Sequence, residues 1–262
     1  MLSQEYQQRF DGLGRVFGVE ALAALQRAHF CVVGIGGVGS WAAEACARSG
    51  IGKITLIDHD DIAIGNTNRQ IHTLRENIER SKVEVLRERI LAINPECECS
   101  AIDDLVTRAN LDKFNFPQFD YVIEAIDHVS HKLSLMHHCR RNKIRCISTG
   151  GAGGRLDPTQ IQVKDLTLCF NDPLLAKVRS HLRQQLDYSR NPKRRYAMDC
   201  VFSAEQPLYP AADGAVSHAK PESPERTTLD CNTGIGSFVG VTACFGFTAA
   251  AHAIRKYLKS QI

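Results

Sequence analysis

The stretch HFCVVGIGGVGSWAAEACARSGIGKITLIDHDD, His29 to Asp61, restricts the fold more than any other part of the chain. An apolar run from Phe30 to Val33 leads into Gly34, Gly36, Gly37 and Gly39, then into an alanine-rich helical pattern. A second apolar run, Lys53 to Ile57, ends on Asp58. Strand, glycine turn, helix, strand and acid, in that order, spell a nucleotide-binding βαβ unit. Glycines let the backbone approach a phosphate, the helix N-terminus faces the anion, and Asp58 is placed to accept hydrogen bonds from a ribose. The layout specifies a nucleotide without saying which one.

The residues that follow separate the candidates. A dehydrogenase has no use for a fixed group of cations after its second strand. Here DHDDIAIGNTNRQ, Asp58 to Gln70, is followed by Lys82 at the start of a predicted helix and by IEAIDHV, Ile123 to Val129. Asn66, Arg69, Gln70 and Lys82 suit a triphosphate, with Asp60 counted beside Asp58 in the nucleotide site. Asp127, leaving its strand, suits the Mg²⁺ that accompanies a triphosphate. Cations neutralise phosphate charge and the metal stabilises the pentavalent α-phosphorus, so the set favours ATP and adenylate chemistry over NAD and hydride transfer.

Periodicity places these motifs. Helical patterns at Ser3 to Arg9 and Val19 to Arg27 precede the first strand, and Val83, Leu86, Ile90 and Ile93 predict a helix over Lys82 to Ile93, stopped by Asn94-Pro95. Short strands are predicted at Cys97 to Ile102, Tyr121 to Ile126 and Ile144 to Ser148, with a helix from His131 to Asn142. The alternation predicts an α/β fold, a Rossmann-like and mainly parallel sheet with helices on both faces, plus a C-terminal elaboration. After Gly150 a glycine-rich turn leads to a strand at Gln160 to Lys164. Asp172-Pro173 then opens a helix striped with Leu174, Val178, Leu182 and Leu186. Residues 187 to 230 read as polar and loop-rich. The division expected is one adenylating domain over 1–262: N-terminal helices 1–28, nucleotide-binding core 29–166, basic segment 167–230 and apolar helix 231–262.

Composition narrows the setting. An apolar fraction of 44% supplies a core, and ten cysteines without a signal peptide point to free thiols in a reducing cytoplasm. The net charge of +3 is too small to name a partner, but its placement is informative. Lys177, Arg179, Arg183, Arg190, Lys193, Arg194 and Arg195 face one acid, Asp187, with Tyr188 and Tyr196 among them. This is a candidate grip on a nucleic-acid backbone, with Lys193, Arg194 and Arg195 as contacts and the tyrosines stacking on unpaired bases. From Cys231 to Ile254 there is no Asp, Glu, Lys or Arg, and Gly236 and Gly240 form a GxxxG. Glycines, threonines and His252 in that run favour a helix buried on the sheet or across a dimer over a membrane span. The histidines at 72, 128, 131, 137, 138 and 181 show no metal spacing and read as surface or helix residues.

With Gly34–Gly39, Asp58, Asn66, Arg69, Gln70, Lys82 and Asp127 at this spacing, the chain resembles the ubiquitin-activating-enzyme-like adenylating superfamily, which includes the molybdopterin and thiamine biosynthesis adenylyltransferases. The resemblance implies that Asp58 holds the ribose, Arg69 and Lys82 the phosphates, and Asp127 the Mg²⁺. It also implies a homodimer in which an N-terminal arginine completes the partner's site; of Arg9 and Arg15, Arg15 is taken. STGGAGGRLDPTQIQVKDLT, CVFSAEQPLYP and DCNTGIGSFVGVTACFGF are similar to the branch that dehydrates threonylcarbamoyladenosine in tRNA. That branch implies adenylation of the threonyl carboxylate and ring closure beside the anticodon, and a partnership with a cysteine desulfurase system in which Cys231 is the candidate thiol acceptor. Two alternatives stand beside it: an adenylyltransferase for a small sulfur-carrier protein, and a non-catalytic nucleotide-binding scaffold in sulfur traffic.

Overall fold

The computed structural model describes residues 2–211, 213–219 and 235–261. Two helices, α1 (Gln4–Phe17) and α2 (Val19–Arg27), precede the sheet and are separated at Gly18, whose φ of 92° suits a residue without a side chain. Then come β1 (His29–Val33), α3 (Gly39–Arg48), β2 (Lys53–Asp58), α4 (Lys82–Ile93), β3 (Glu98–Asp103), β4 (Tyr121–Glu124), α5 (Val129–Arg141) and β5 (Cys146–Thr149). The chain continues through β6 (Ile161–Asp165), α6 (Pro173–Gln185), β7 (Asp199–Ser203), a small hairpin β8 (Tyr209–Pro210) with β9 (Val216–Ser217), and α7 (Val239–Leu258).

Seven strands form the main sheet in the order β3-β2-β1-β4-β5-β7-β6, all parallel except β6, which runs antiparallel to β7. The Rossmann-like expectation is met. Strand order reverses between β1 and β4, and the crevice at their carboxyl ends is where a doubly wound sheet binds its ligand. β7 is the strand that the sequence reading missed, inside a segment expected to be loop. Its five residues, DCVFS, carry no alternation because Cys200, Val201, Phe202 and Ser203 are all buried.

From Val239 onward the apolar run near the C-terminal end of the sequence forms α7, a later start than the expected helix over 231–262, whose first four residues lie outside the described ones. α7 packs on the sheet face already covered by α3 and α4. Val241, Phe245, Ala249, Ala250, Ala253 and Ile254 join Phe30, Val32 and Leu56 in one core. Close approach to α3 uses Gly246, where a Cβ would lie 2.8 Å from the Ala42 nitrogen. The GxxxG pair does something different: Gly236 lies before the helix and its carbonyl accepts the Gly154 N–H (2.8 Å). His252, an oddity in an apolar helix, meets Asp199 at 2.9 Å. Among the described residues no helix is long and apolar enough to cross a membrane. The opposite sheet face carries Phe114, Phe116, Phe119 and Leu135, and α5, α6 and β7 enclose a third cluster around Leu175, Val178 and Phe202.

Candidate active site

The glycine turn leaves β1 at Gly34, where φ is 87° and a Cβ would lie 2.8 Å from the Ala125 carbonyl carbon. Gly39 serves packing: a Cβ there would strike the Gly34 carbonyl oxygen, so α3 sits tightly on the turn. Asp58, at the end of β2, accepts the Ile35 N–H (2.5 Å) and the Asp60 N–H (2.9 Å). The carboxylate therefore fixes the glycine turn and the following loop while facing the cleft.

Four more predicted residues come from the segment after β2 and the first residue of α4. Asn66 Oδ1 accepts the Ala63 N–H (3.1 Å) and orders a short 3₁₀ turn. Arg69 is buried; its Nη1 donates to the Gly65 carbonyl (3.0 Å) and to Asn68 Oδ1 (2.9 Å), and the Trp41 indole N–H holds its carbonyl (2.9 Å). Gln70 is buried beside Gly36 with Oε1 unpartnered among the described residues. Lys82 opens α4 with its Nζ 2.6 Å from Asp60 Oδ2, so Asp60 positions the cation that sequence reasoning assigned to phosphate. His72, expected at the surface or on a helix, is instead buried in a turn of this segment. Desolvation, then Lys82 and Arg89, push its pKa down to about 3, so it is neutral at physiological pH.

These groups converge on one cavity of about 330 Å³. Gly34, Gly36, Gly37, Asp58, Asp60, Asn66, Arg69, Gln70, Lys82 and Asp127 all line it. Gly39 does not, for the packing reason above. Ile57, Leu105, Val106 and Ile126 add an apolar wall, and His128 and His131 close one side. An apolar slot, a carboxylate at the β2 terminus and two cations beyond a glycine turn can together hold a base, a ribose and a polyphosphate. Asp58, His59 and Asp60 place three metal-type donors within 4.8 Å of one another, but Asp58 is engaged by the turn and Asp60 by Lys82.

The placement of Asp127 rests on a triad that the sequence reading did not single out. Glu124 and Lys132 are both fully buried, with Nζ 2.6 Å from Oε2. Ser148 Oγ donates to the same oxygen (2.5 Å), and Oε1 accepts the Ile126 N–H (2.7 Å), bracing the loop that presents Asp127. Burial pushes the Glu124 carboxyl up and Lys132 pulls it back. The signal was present: an acid inside the apolar run YVIEAI needs a buried partner.

Other predicted residues lie away from the cleft. Arg15, with a side chain 79% exposed, pairs with Asp11 one helical turn away in α1. Lys193, Arg194 and Arg195 are exposed in the loop between α6 and β7. The tyrosines in that loop are not free to stack on bases. Tyr196 is buried in the α5–α6–β7 cluster, its OH accepting from Arg183 (2.9 Å) and donating to the Ser189 carbonyl (2.6 Å). Tyr188 packs on Tyr196 at 4.9 Å and on His137. Arg179 is likewise structural, bonding the Leu166 and Cys169 carbonyls. Cys231 lies outside the described residues; the nine described cysteines are all free.

Residues 11–261 match the model of the ThiF family. The chain belongs to the ThiF family. Within it, the chain is 50% identical to the tRNA threonylcarbamoyladenosine dehydratase of Escherichia coli (strain K12) over 98% of this chain and 96% of that one. It is 48% identical to the dehydratase of the same name from Haemophilus influenzae, over 98% and 95% of the two chains. The E. coli enzyme TcdA in complex with ATP superposes with a TM-score of 0.88 at 47% identity, covering 100% of this chain and 98% of that one. The ThiF-family fold thus extends through α7.

Proposed function

We propose that the chain is an ATP-dependent tRNA threonylcarbamoyladenosine dehydratase working as one adenylating unit in the cytoplasm. The observation that carries this reading is the convergence of Arg69, Lys82 and Asp127 on one cleft at the strand-order reversal, in a chain that matches dehydratases over nearly its whole length. That full-length match ranks the dehydratase above the adenylyltransferase for a sulfur carrier and above the scaffold.

In this reading the threonyl carboxylate attacks the α-phosphorus, the bond to the β-phosphate oxygen breaks and pyrophosphate leaves. An atom of the same side group then closes on the acyl carbon, loses its proton and expels AMP. The elements of the lost water end in AMP and pyrophosphate. The nucleophile is already tethered, so proximity replaces a catalytic cysteine. Asp58 holds the ribose, and Arg69 and Lys82 hold phosphate oxygens, Lys82 exchanging its contact with Asp60 for one with the nucleotide. Asp127 fits Mg²⁺, because its exposed carboxylate faces the cleft and the ion takes one or two acids plus phosphate oxygens. When bound, the metal neutralises charge as pyrophosphate departs. Mass spectrometry of nucleosides from threonylcarbamoylated tRNA incubated with ATP and Mg²⁺ tests the reading: loss of one water is expected, and an unchanged nucleoside overturns it.

Arg15 belongs, on this reading, to a homodimer in which it enters the partner's cleft. Exposed Val16, Phe17 and Val19 beside it, and Phe238, Val239 and Phe247 at and on α7, give apolar surface for such contact. Mixing Arg15→Ala with Asp127→Asn subunits should restore part of the activity that each lacks alone. An inactive mixture counts against a shared site.

The basic loop is read as a remote grip on tRNA. β7 begins just after it and runs parallel to β5, so the loop lies at the end of the sheet opposite the cleft. The 13 residues of α6 separate it from Pro173 beside the cleft, roughly 20 Å at helical rise. It would therefore hold phosphates distant from the modified adenosine. Replacing Lys193, Arg194 and Arg195 together by alanine should flatten the slope of log affinity against log salt by about 0.7 to 0.9 per lost contact. ATP affinity and thermal midpoint should stay unchanged. A wild-type slope would reduce the loop to a solubilising segment. The same reading leaves a cysteine desulfurase system as a partner, with Cys231 as acceptor, to be tested by labelled sulfur transfer.

A further inference from the structure

Arg155 is 1% exposed and among the largest wholly buried side chains. Its Nη2 donates to the Asn171 carbonyl (2.6 Å), while Nε and Nη1 have no partner among the described residues. Two acids are close enough to favour its charge, but both spend oxygens on backbone N–H groups. Asp172 takes those of Leu175 and Gly151, and Glu205 those of Leu156 and Asp157. A permanent cation with unused donors is costly to bury unless a ligand completes it.

The surroundings indicate where such a ligand sits. Arg155 lines a second cavity, of about 110 Å³, with Gly151, Pro173 and Thr242. This cavity shares Gly36, Gly37, Arg69 and Asp127 with the nucleotide cleft, so its occupant would lie against the metal-side carboxylate. Two glycines of its wall are packed too closely to carry a side chain: a Cβ at Gly150 would strike the Asp172 carboxylate, and one at Gly153 would lie 3.1 Å from Ile235. The volume suits a small acyl group, and among the described residues its cationic lining is Arg69 and Arg155.

We propose that this cavity is the acyl pocket and that Arg155 selects a small ureido acid, its N–H groups holding the carboxylate oxygen that does not attack phosphorus. The inference rests on the dehydratase reading. After activation that oxygen is the acyl carbonyl, on which negative charge gathers as the ring closes, so the same donors serve both stages. No proton passes to or from the guanidinium.

The test compares wild type with Arg155→Gln and Arg155→Lys on threonylcarbamoylated tRNA, with ATP affinity and thermal midpoint measured alongside. Arg155→Gln should raise the KM for tRNA about 10- to 100-fold, the size of a lost charge-assisted hydrogen bond, and Arg155→Lys should recover part of it. ATP affinity should be unchanged. A wild-type KM in Arg155→Gln overturns the proposal. If Arg155→Gln also loses ATP affinity or stability, Thr242→Leu, which fills the same cavity, decides. A raised KM with normal ATP affinity supports the acyl pocket, and a normal KM overturns it. A wild-type enzyme that releases AMP yet leaves the nucleoside unchanged would instead defeat the dehydratase reading itself, and the proposal with it.

Discussion

Asp127→Asn and Arg69→Ala are each expected to slow release of AMP and pyrophosphate by on the order of 10²-fold or more, the loss seen when one preorganised charge is removed from a transition state. The two variants should differ in their side effects. Asp127 is exposed and, among the described residues, is bound to no side chain that its amide would disturb, so Asp127→Asn should fold and melt like wild type. Arg69 also ties the Gly65 carbonyl and Asn68, so Arg69→Ala should lose some thermal stability as well. Chromatography of AMP against ADP checks the turnover, and thermal melting of the two variants checks the difference in stability. Release of ADP by the wild type, or full turnover in Asp127→Asn, would contradict adenylate chemistry.

Lys132→Met should have the largest effect on stability. It would leave the Glu124 carboxylate without its cation in a site with no exposed surface, a change that costs about 3–5 kcal/mol in buried pairs. Replacing both members together, Lys132→Met with Glu124→Leu, should recover much of the loss, because the unpaired charge is what destabilises. Urea unfolding midpoints measure this. A single variant as stable as wild type would mean that the ammonium does not meet Glu124. The double variant carries a second readout: without Glu124 the Ile126 N–H loses its acceptor, so turnover should stay low even where stability returns.

What could be read in the sequence was whatever is fixed by neighbours in the chain. α4 begins at Lys82 and ends at Ile93 as its apolar spacing and the following Asn94-Pro95 indicate, and Asp172 caps α6 through the Leu175 N–H (2.9 Å). The cleft residues were legible because glycine, acid and cation stand at fixed distances from two strands. What could not be read depends on partners far along the chain. Tyr196 looks like a base-stacking side chain until α5 and α6 are folded around it. β7 looks like loop until β5 and β6 flank it. Lys132 sits 8 residues from Glu124 and 16 from Ser148, and nothing local says that the three meet. Arg155 is the extreme case, since part of what it awaits is not protein.

α7 has a consequence for the order in which this molecule becomes competent. The helix is among the last described stretches to be synthesised, yet Phe245 and Ala249 fill the centre of the core against α3, whose N-terminal end faces the cleft. A nascent chain that had made every nucleotide-binding residue but not residues 239–258 would leave one face of its sheet uncovered. The phosphate turn would then rest on an unsupported helix. Competence to bind ATP is therefore expected only once α7 has packed. A ribosome stalled before Val239 should display a chain with all the cleft's side chains and no nucleotide affinity.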